Sequence, residues 1–160
     1  MNIRRLAHAM TYCCLLFMLA ACSSDKEYEN HQTLEDESWS ITDPVTFSFD
    51  IQDTTVPYLF GLDFRYTDSY PWQDIFLFME TTVPDGSLSQ DTLHCNLFEA
   101  DGKPLGKGHR IKELEVGYSL VRFPQQGHYT LRFTHGMRTE TVKGIVSFGM
   151  SLKKTETANP

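Results

Sequence analysis

The feature that most constrains this chain is alternation with a period of two, repeated between turn signals. Val45, Phe47, Phe49 and Ile51 alternate with Thr46, Ser48 and Asp50. Successive side chains of a strand point to opposite faces, so this pattern describes a strand with one face in a core and the other in water. The pattern returns at Tyr58, Phe60, Leu62, Phe64 and Tyr66, at Tyr129, Leu131 and Phe133, and at Val146, Phe148, Met150 and Leu152. Ile75 to Val83 is a continuous apolar run rich in β-formers, which predicts a strand buried on both faces. Pro84-Asp85-Gly86 predicts a turn after it. Leu88 to Phe98 then predicts a partner strand with Leu93, Cys95 and Leu97 on one side, completing a hairpin. Tyr118 to Phe123 predicts another strand, stopped by Pro124-Gln125-Gln126-Gly127. Thr67 to Asp74, broken by Pro71, reads as loop, and Asp101 to Gly108 is the densest Gly/Pro loop. Lys107 to Gly117 fits either one helical turn or an irregular crossing between sheets. With no long amphipathic helix in view, the expected fold is all-β. It is an antiparallel two-sheet β-sandwich of seven to eight strands, connected as a jelly roll or in an immunoglobulin-like way.

The stretch ahead of these strands has a different character. Arg4-Arg5 precede an apolar run from Ala9 to Ala21, which is shorter than the ~20 residues of a spanning helix. The run ends in Leu19-Ala20-Ala21-Cys22, the pattern of a bacterial lipoprotein signal. Small residues before the cysteine give a signal peptidase access, and the thiol is the nucleophile that takes a diacylglyceryl group. Residues 1–21 are therefore expected to be removed, leaving Cys22 as an N-acylated, S-diacylglycerol (palmitate-bearing) cysteine. The acidic, apolar-poor residues 22–38 read as a lipidated flexible tether, 39–153 as the sandwich domain and 154–160 as a polar tail. Asp25 and Glu27 fit a solvated linker and also resemble acidic export tags placed after a lipidated cysteine.

Charge and cysteine usage narrow the function classes. Loss of Arg4 and Arg5 takes Lys+Arg from 14 to 12 against 21 Asp+Glu, a net charge of −9. An acidic domain of this kind argues against a nucleic-acid partner and against electrostatic adhesion to anionic lipid, so attachment to a membrane falls to the acyl chains. Of the four cysteines, Cys13 and Cys14 leave with the signal and Cys22 is acylated. Cys95 is left alone, with no intrachain disulfide, and reads as an inert core thiol. Stability then rests on a packed core, for which ten of the eleven Phe and six of the seven Tyr remain once residues 1–21 are gone.

No catalytic constellation or metal-ligand spacing emerges, so no enzyme activity, cofactor, metal or small-molecule substrate is expected. His94 and Cys95 are neighbours on a strand and face opposite ways, and His128 and His135 are separated by an odd offset. Asp63, Asp68, Asp74 and Asp85 read as turn-capping residues. The remaining candidate is the aromatic loop Tyr70, Pro71 and Trp72. It could serve as a protein-interaction loop or as a stacking platform of a glycan-binding surface lipoprotein, or Trp72 could fold back as a plug on the end of the sandwich.

Several stretches resemble those of one family in order and spacing. They are Tyr70-Pro71-Trp72-Gln73-Asp74-Ile75-Phe76-Leu77-Phe78, Pro84-Asp85-Gly86, Asp91-Thr92-Leu93, the Gly102 to Gly108 loop, Arg122-Phe123-Pro124-Gln125-Gln126-Gly127-His128-Tyr129-Thr130, Gly136-Met137-Arg138 and Gly144-Ile145. Coming after a lipoprotein signal, over about residues 28–153, their succession is similar to that of the gliding motility lipoprotein H family, GldH. Pro104 departs from it, standing where the family often carries an aromatic. The resemblance implies a lipoprotein anchored in the outer membrane, on its periplasmic face or at the cell surface. It also implies work with other gliding or type IX secretion envelope components, and no catalytic residues.

Overall fold

The computed structural model describes residues 26–155, apart from the side chains of Lys26 and Tyr118. Cys22, the expected lipidation site, lies outside the described residues, as does most of the expected polar tail. In chain order the strands are β1 (Lys26–Thr33), β2 (Ser38–Ser40), β3 (Val45–Ile51), β4 (Tyr58–Thr67), β5 (Asp74–Thr82), β6 (Leu88–Asn96), β7 (Ile111–Val121), β8 (Gly127–His135), β9 (Thr141–Lys143) and β10 (Ile145–Lys154). A short 3-10 turn covers Glu35–Glu37. Eight strands form two four-stranded antiparallel sheets, ordered β1-β10-β4-β7 and β3-β8-β5-β6; β2 and β9 pair as a separate ribbon. Numbered by themselves along the chain, the eight long strands follow the orders 1-8-3-6 and 2-7-4-5. This is jelly-roll connectivity, which decides between the two sandwich types expected from sequence. Among these eight, β5 and β6 alone follow one another within the same sheet, joined by the turn at Pro84-Asp85-Gly86.

The alternating residues meet between the sheets. Val45, Phe47, Phe49 and Ile51 are buried while Thr46, Ser48 and Asp50 are exposed, and Tyr129, Leu131 and Phe133 match them on β8. Phe148 of β10 is the hub of the aromatic core. Its ring centroid lies 5.1 Å from Trp39, 5.9 Å from Phe47, 5.0 Å from Phe64 and 5.0 Å from Phe133, at the tilted and edge-on angles that aromatic quadrupoles favour.

Three expectations need correcting. The tether does not extend to residue 38, because β1 starts at Lys26 and pairs along β10 from Lys153 to Ser147. Its register comes from backbone pairing and one anchor, Tyr28 packed on Phe49 at 5.3 Å, rather than from apolar alternation. Small residues on the outward face of β10 admit it: a methyl at Gly149 would run into the His31 ring. The second correction concerns β5, which is not buried on both faces. Ile75 and Leu77 are in the core, but Phe76 and Phe78 stand on the uncovered outer face. The third concerns Lys107 to Gly117, most of which belongs to β7 and pairs with β4 from Thr67 back to Leu62. At the C-terminal end, β10 runs on through Lys154, and Thr155 hydrogen-bonds to Pro57.

The two ends of the sandwich are distinct. Lys26, Lys153, Leu59 and Leu120 form one row across the first sheet. The bends near Pro57, Pro84 and Pro124 belong to that end, tied by Gln125 to Asp85 and by Arg122 to the Thr55 carbonyl. The opposite end carries the loops after β4, β6 and β8 and the β2–β9 ribbon.

Candidate interaction site

The aromatic loop divides into one structural residue and one presented residue. Tyr70 is buried; its hydroxyl donates to the Asp74 carbonyl at 2.6 Å and its amide donates to the Thr67 carbonyl at 3.1 Å. Burial, with Asp74 nearby, pushes its phenol well above the usual range. Its backbone rests on Gly144, which holds φ 84°. A methyl there would meet the Tyr70 amide nitrogen, so both the left-handed conformation and the close approach require glycine. Phe98 lies parallel to Tyr70 at 6.4 Å. Trp72 is 37% exposed and meets the edge of Tyr70 at 5.5 Å and 69°, while Pro71 is exposed. Trp72 therefore does not plug the sandwich, and the two rings do not make a coplanar stacking platform. A cleft of about 290 Å³ separates this loop from Phe98, Glu99 and Gly102.

Beside the loop, β5 presents Phe76 and Phe78, which are 39% and 53% exposed. His94 of β6 stacks on Phe76 at 4.5 Å and 7°, and its Nε2 lies 2.6 Å from the Asp74 carboxylate. Gly136 fits against both phenylalanines, and the Phe76 amide donates to the Met137 sulfur at 3.5 Å. From Phe78 a groove of about 550 Å³ continues past Gln90, Thr92 and Arg132. Phe76 and Phe78 thus form an aromatic strip on the sheet with His94 stacked on Phe76, and Trp72 stands exposed on the loop that leads into β5. Sequence reasoning missed Phe76 and Phe78 because they sit between Ile75 and Leu77 in an unbroken apolar run. The signal lay on the neighbouring strand, where Gln90, Thr92 and His94 are polar and, by the hairpin register, share their face.

Cys95 faces the core, and burial pushes its thiol up to about 11, so it is a poor nucleophile. His94 faces outward, away from it. His128 is exposed beside Asp50 at 3.2 Å, whereas His135 is fully buried with neither ring nitrogen in hydrogen-bonding geometry. Among the described residues no three His, Cys, Asp or Glu side chains converge to hold a metal. Asp85 caps its turn by accepting from the Ser87 amide and hydroxyl, and with Gln125 these bonds lower its carboxyl to about 2. Asp74 is engaged by His94 and Asp68 by Lys112 at 3.6 Å.

Fold and surface together define a jelly-roll domain that presents exposed aromatics on the open face of one sheet and on the loop before it. The profile of the GldH lipoprotein family matches residues 26–152, so the chain belongs to that family. Among curated relatives, a protein of Christiangramia forsetii named "Gliding motility lipoprotein GldH homolog" is 24% identical over 150 residues, covering 88% of this chain and 91% of that one. "Gliding motility lipoprotein GldH" of Flavobacterium johnsoniae is 24% identical over 148 residues, covering 87% and 91%. By family the chain is a gliding motility lipoprotein. Among solved structures, a chain in "Structure of infectious bursal disease virus Gx strain" has 13% identity and a TM-score of 0.39; the match covers 86% of this chain and 34% of that one, too weak a likeness to bear on function.

Proposed function

We propose that this chain is an outer-membrane lipoprotein, anchored through Cys22, that supports gliding motility and type IX secretion by non-catalytic contact with other envelope proteins. The observation that carries the contact reading is three exposed aromatics, Trp72 on the loop that leads into β5 and Phe76 and Phe78 on the open face of β5. Aromatics of this kind supply large contact area at small entropic cost and anchor protein interfaces. The lipid anchor rests on Leu19-Ala20-Ala21-Cys22 and on the family. The glycan-platform alternative loses support from Tyr70, which is buried beneath the loop.

The test replaces Trp72, Phe76 and Phe78 together with serine in the chromosomal copy, followed by crosslinking from intact envelopes and assays of spreading and secretion. The expected result is a variant present at normal level that loses a crosslinked envelope partner and the phenotype. Unchanged crosslinks and phenotype would remove these aromatics from the account.

A further inference from the structure

We propose that the Leu88–Leu120 end of the sandwich lies directly on the lipid surface, with both leucines in the headgroup–acyl interface. The inference rests on the Cys22 anchor proposed above and adds the orientation of the domain and a second membrane contact. Three residues, Ser23, Ser24 and Asp25, separate Cys22 from the start of β1 at Lys26. Even fully extended, that link spans at most about 14 Å. The acylated cysteine sits at the membrane surface, so the end of the domain that carries Lys26 cannot rise far from it.

That end carries two prominent exposed apolar side chains. Leu120 is 66% exposed and belongs to the same row across the sheet as Lys26, three strands away. At ~4.8 Å per strand, the lateral separation is about 14 Å. Leu88, 64% exposed, begins β6 opposite Thr82, just after the Pro84-Asp85-Gly86 turn that belongs to the same end. By alternation with Val121, partly buried against the core, and with buried Cys95, the two leucines lie on the outer faces of different sheets, so they flank the end like a pair of feet. Charges between them are engaged locally: Lys154 pairs with Asp53 at 2.7 Å, and Asp85 accepts from Gln125 and Ser87. The end therefore presents apolar groups beside charges held in local bonds, chemistry suited to a lipid interface without a demand for anionic headgroups. The opposite end, with Trp72, then points away from the lipid. The ten residues of β4 separate the two ends by about 30 Å.

The experiment uses the full lipidated chain, reconstituted in phosphatidylcholine–phosphatidylethanolamine vesicles that contain a lipid-borne nitroxide quencher. Leu88→Cys, Leu120→Cys and Lys103→Cys variants are each labelled with an environment-sensitive fluorophore. Cys95 is buried and Cys22 is consumed by lipid, so the label reports one position. Lys103, 71% exposed in side chain on the loop after β6, marks the far end. Flotation shows first whether the chain is vesicle-bound. The expected result is flotation of all three variants, with quenching at positions 88 and 120 at least about two-fold stronger than at 103. Equal quenching at the three positions in chains that float overturns the orientation and leaves the anchor standing. Chains that do not float overturn the anchor, and the orientation with it.

Discussion

His135 sits where β8 passes beside the β2–β9 ribbon, edge-on to Trp39 at 6.1 Å and without solvent contact. Burial holds its imidazole below the usual histidine value, against a weaker opposing pull from the Glu140 and Trp39 backbones. The unfolded chain therefore takes up a proton near pH 6.5 that the folded chain refuses. Between 6.5 and the lower folded value the unfolded state binds more protons, so stability falls as pH falls, by up to about 1.4 kcal/mol per pH unit. Urea unfolding between about pH 5.5 and 7.5 should show this loss in the wild type and a shallower one in His135→Leu; equal slopes would contradict the assignment. At the same scale, Trp72→Ala removes an exposed ring that rests on the edge of Tyr70, and the midpoint of unfolding should shift by about 0.5 kcal/mol or less. A loss of several kcal/mol would mean that Trp72 is a structural plug after all. The odd His128–His135 offset did disclose that the two histidines face opposite ways. Nothing in the sequence disclosed that His135 would be desolvated beside the Glu140 and Trp39 backbones, because that depends on the ribbon folded over it.

Among the elements, the strands legible in sequence were those whose large apolar residues alternate with polar or small ones. β3, β4, β8 and β10 alternate cleanly, and the structure places them within a residue or two of the alternating runs. β1 was hidden because an edge strand needs only backbone pairing, and its polar Glu27, Glu29 and Gln32 resemble a linker. β5 was found as a strand but its faces were misread, since aromatics on an open face cannot be told from core residues by hydrophobicity alone. Of the three candidate aromatics, Trp72 was therefore visible, and Phe76 and Phe78 were not. Two substitutions test how the elements hold the site. Gly144→Ala forces a side chain into a positive φ and against Tyr70; it should cost about 2 kcal/mol or more and loosen the loop, measurable as faster amide exchange at Tyr70 and Trp72. Phe148→Ala empties the hub shared by Trp39, Phe47, Phe64 and Phe133 and should cost about 3–5 kcal/mol in chemical denaturation. Wild-type stability in either variant would show that the packing at that point has been misjudged.

On the scale of the molecule, the proposed lipid contact at the Lys26 end and the proposed protein contact at the Trp72 end would lie about 30 Å apart. A jelly roll suits this division, because its crossings between sheets gather the loops into two opposed groups. The central claim is that this body is held to a membrane by one residue, Cys22. A single acyl chain binds only marginally, whereas the multiple chains of a mature lipoprotein hold stably. The most direct measurement is metabolic labelling of cells with a fatty-acid probe, comparing the wild-type chain with Cys22→Ser at matched expression. The account predicts probe on the wild-type chain and none on Cys22→Ser, which accumulates as an uncleaved precursor; label on Cys22→Ser, or its absence from the wild type, would contradict it.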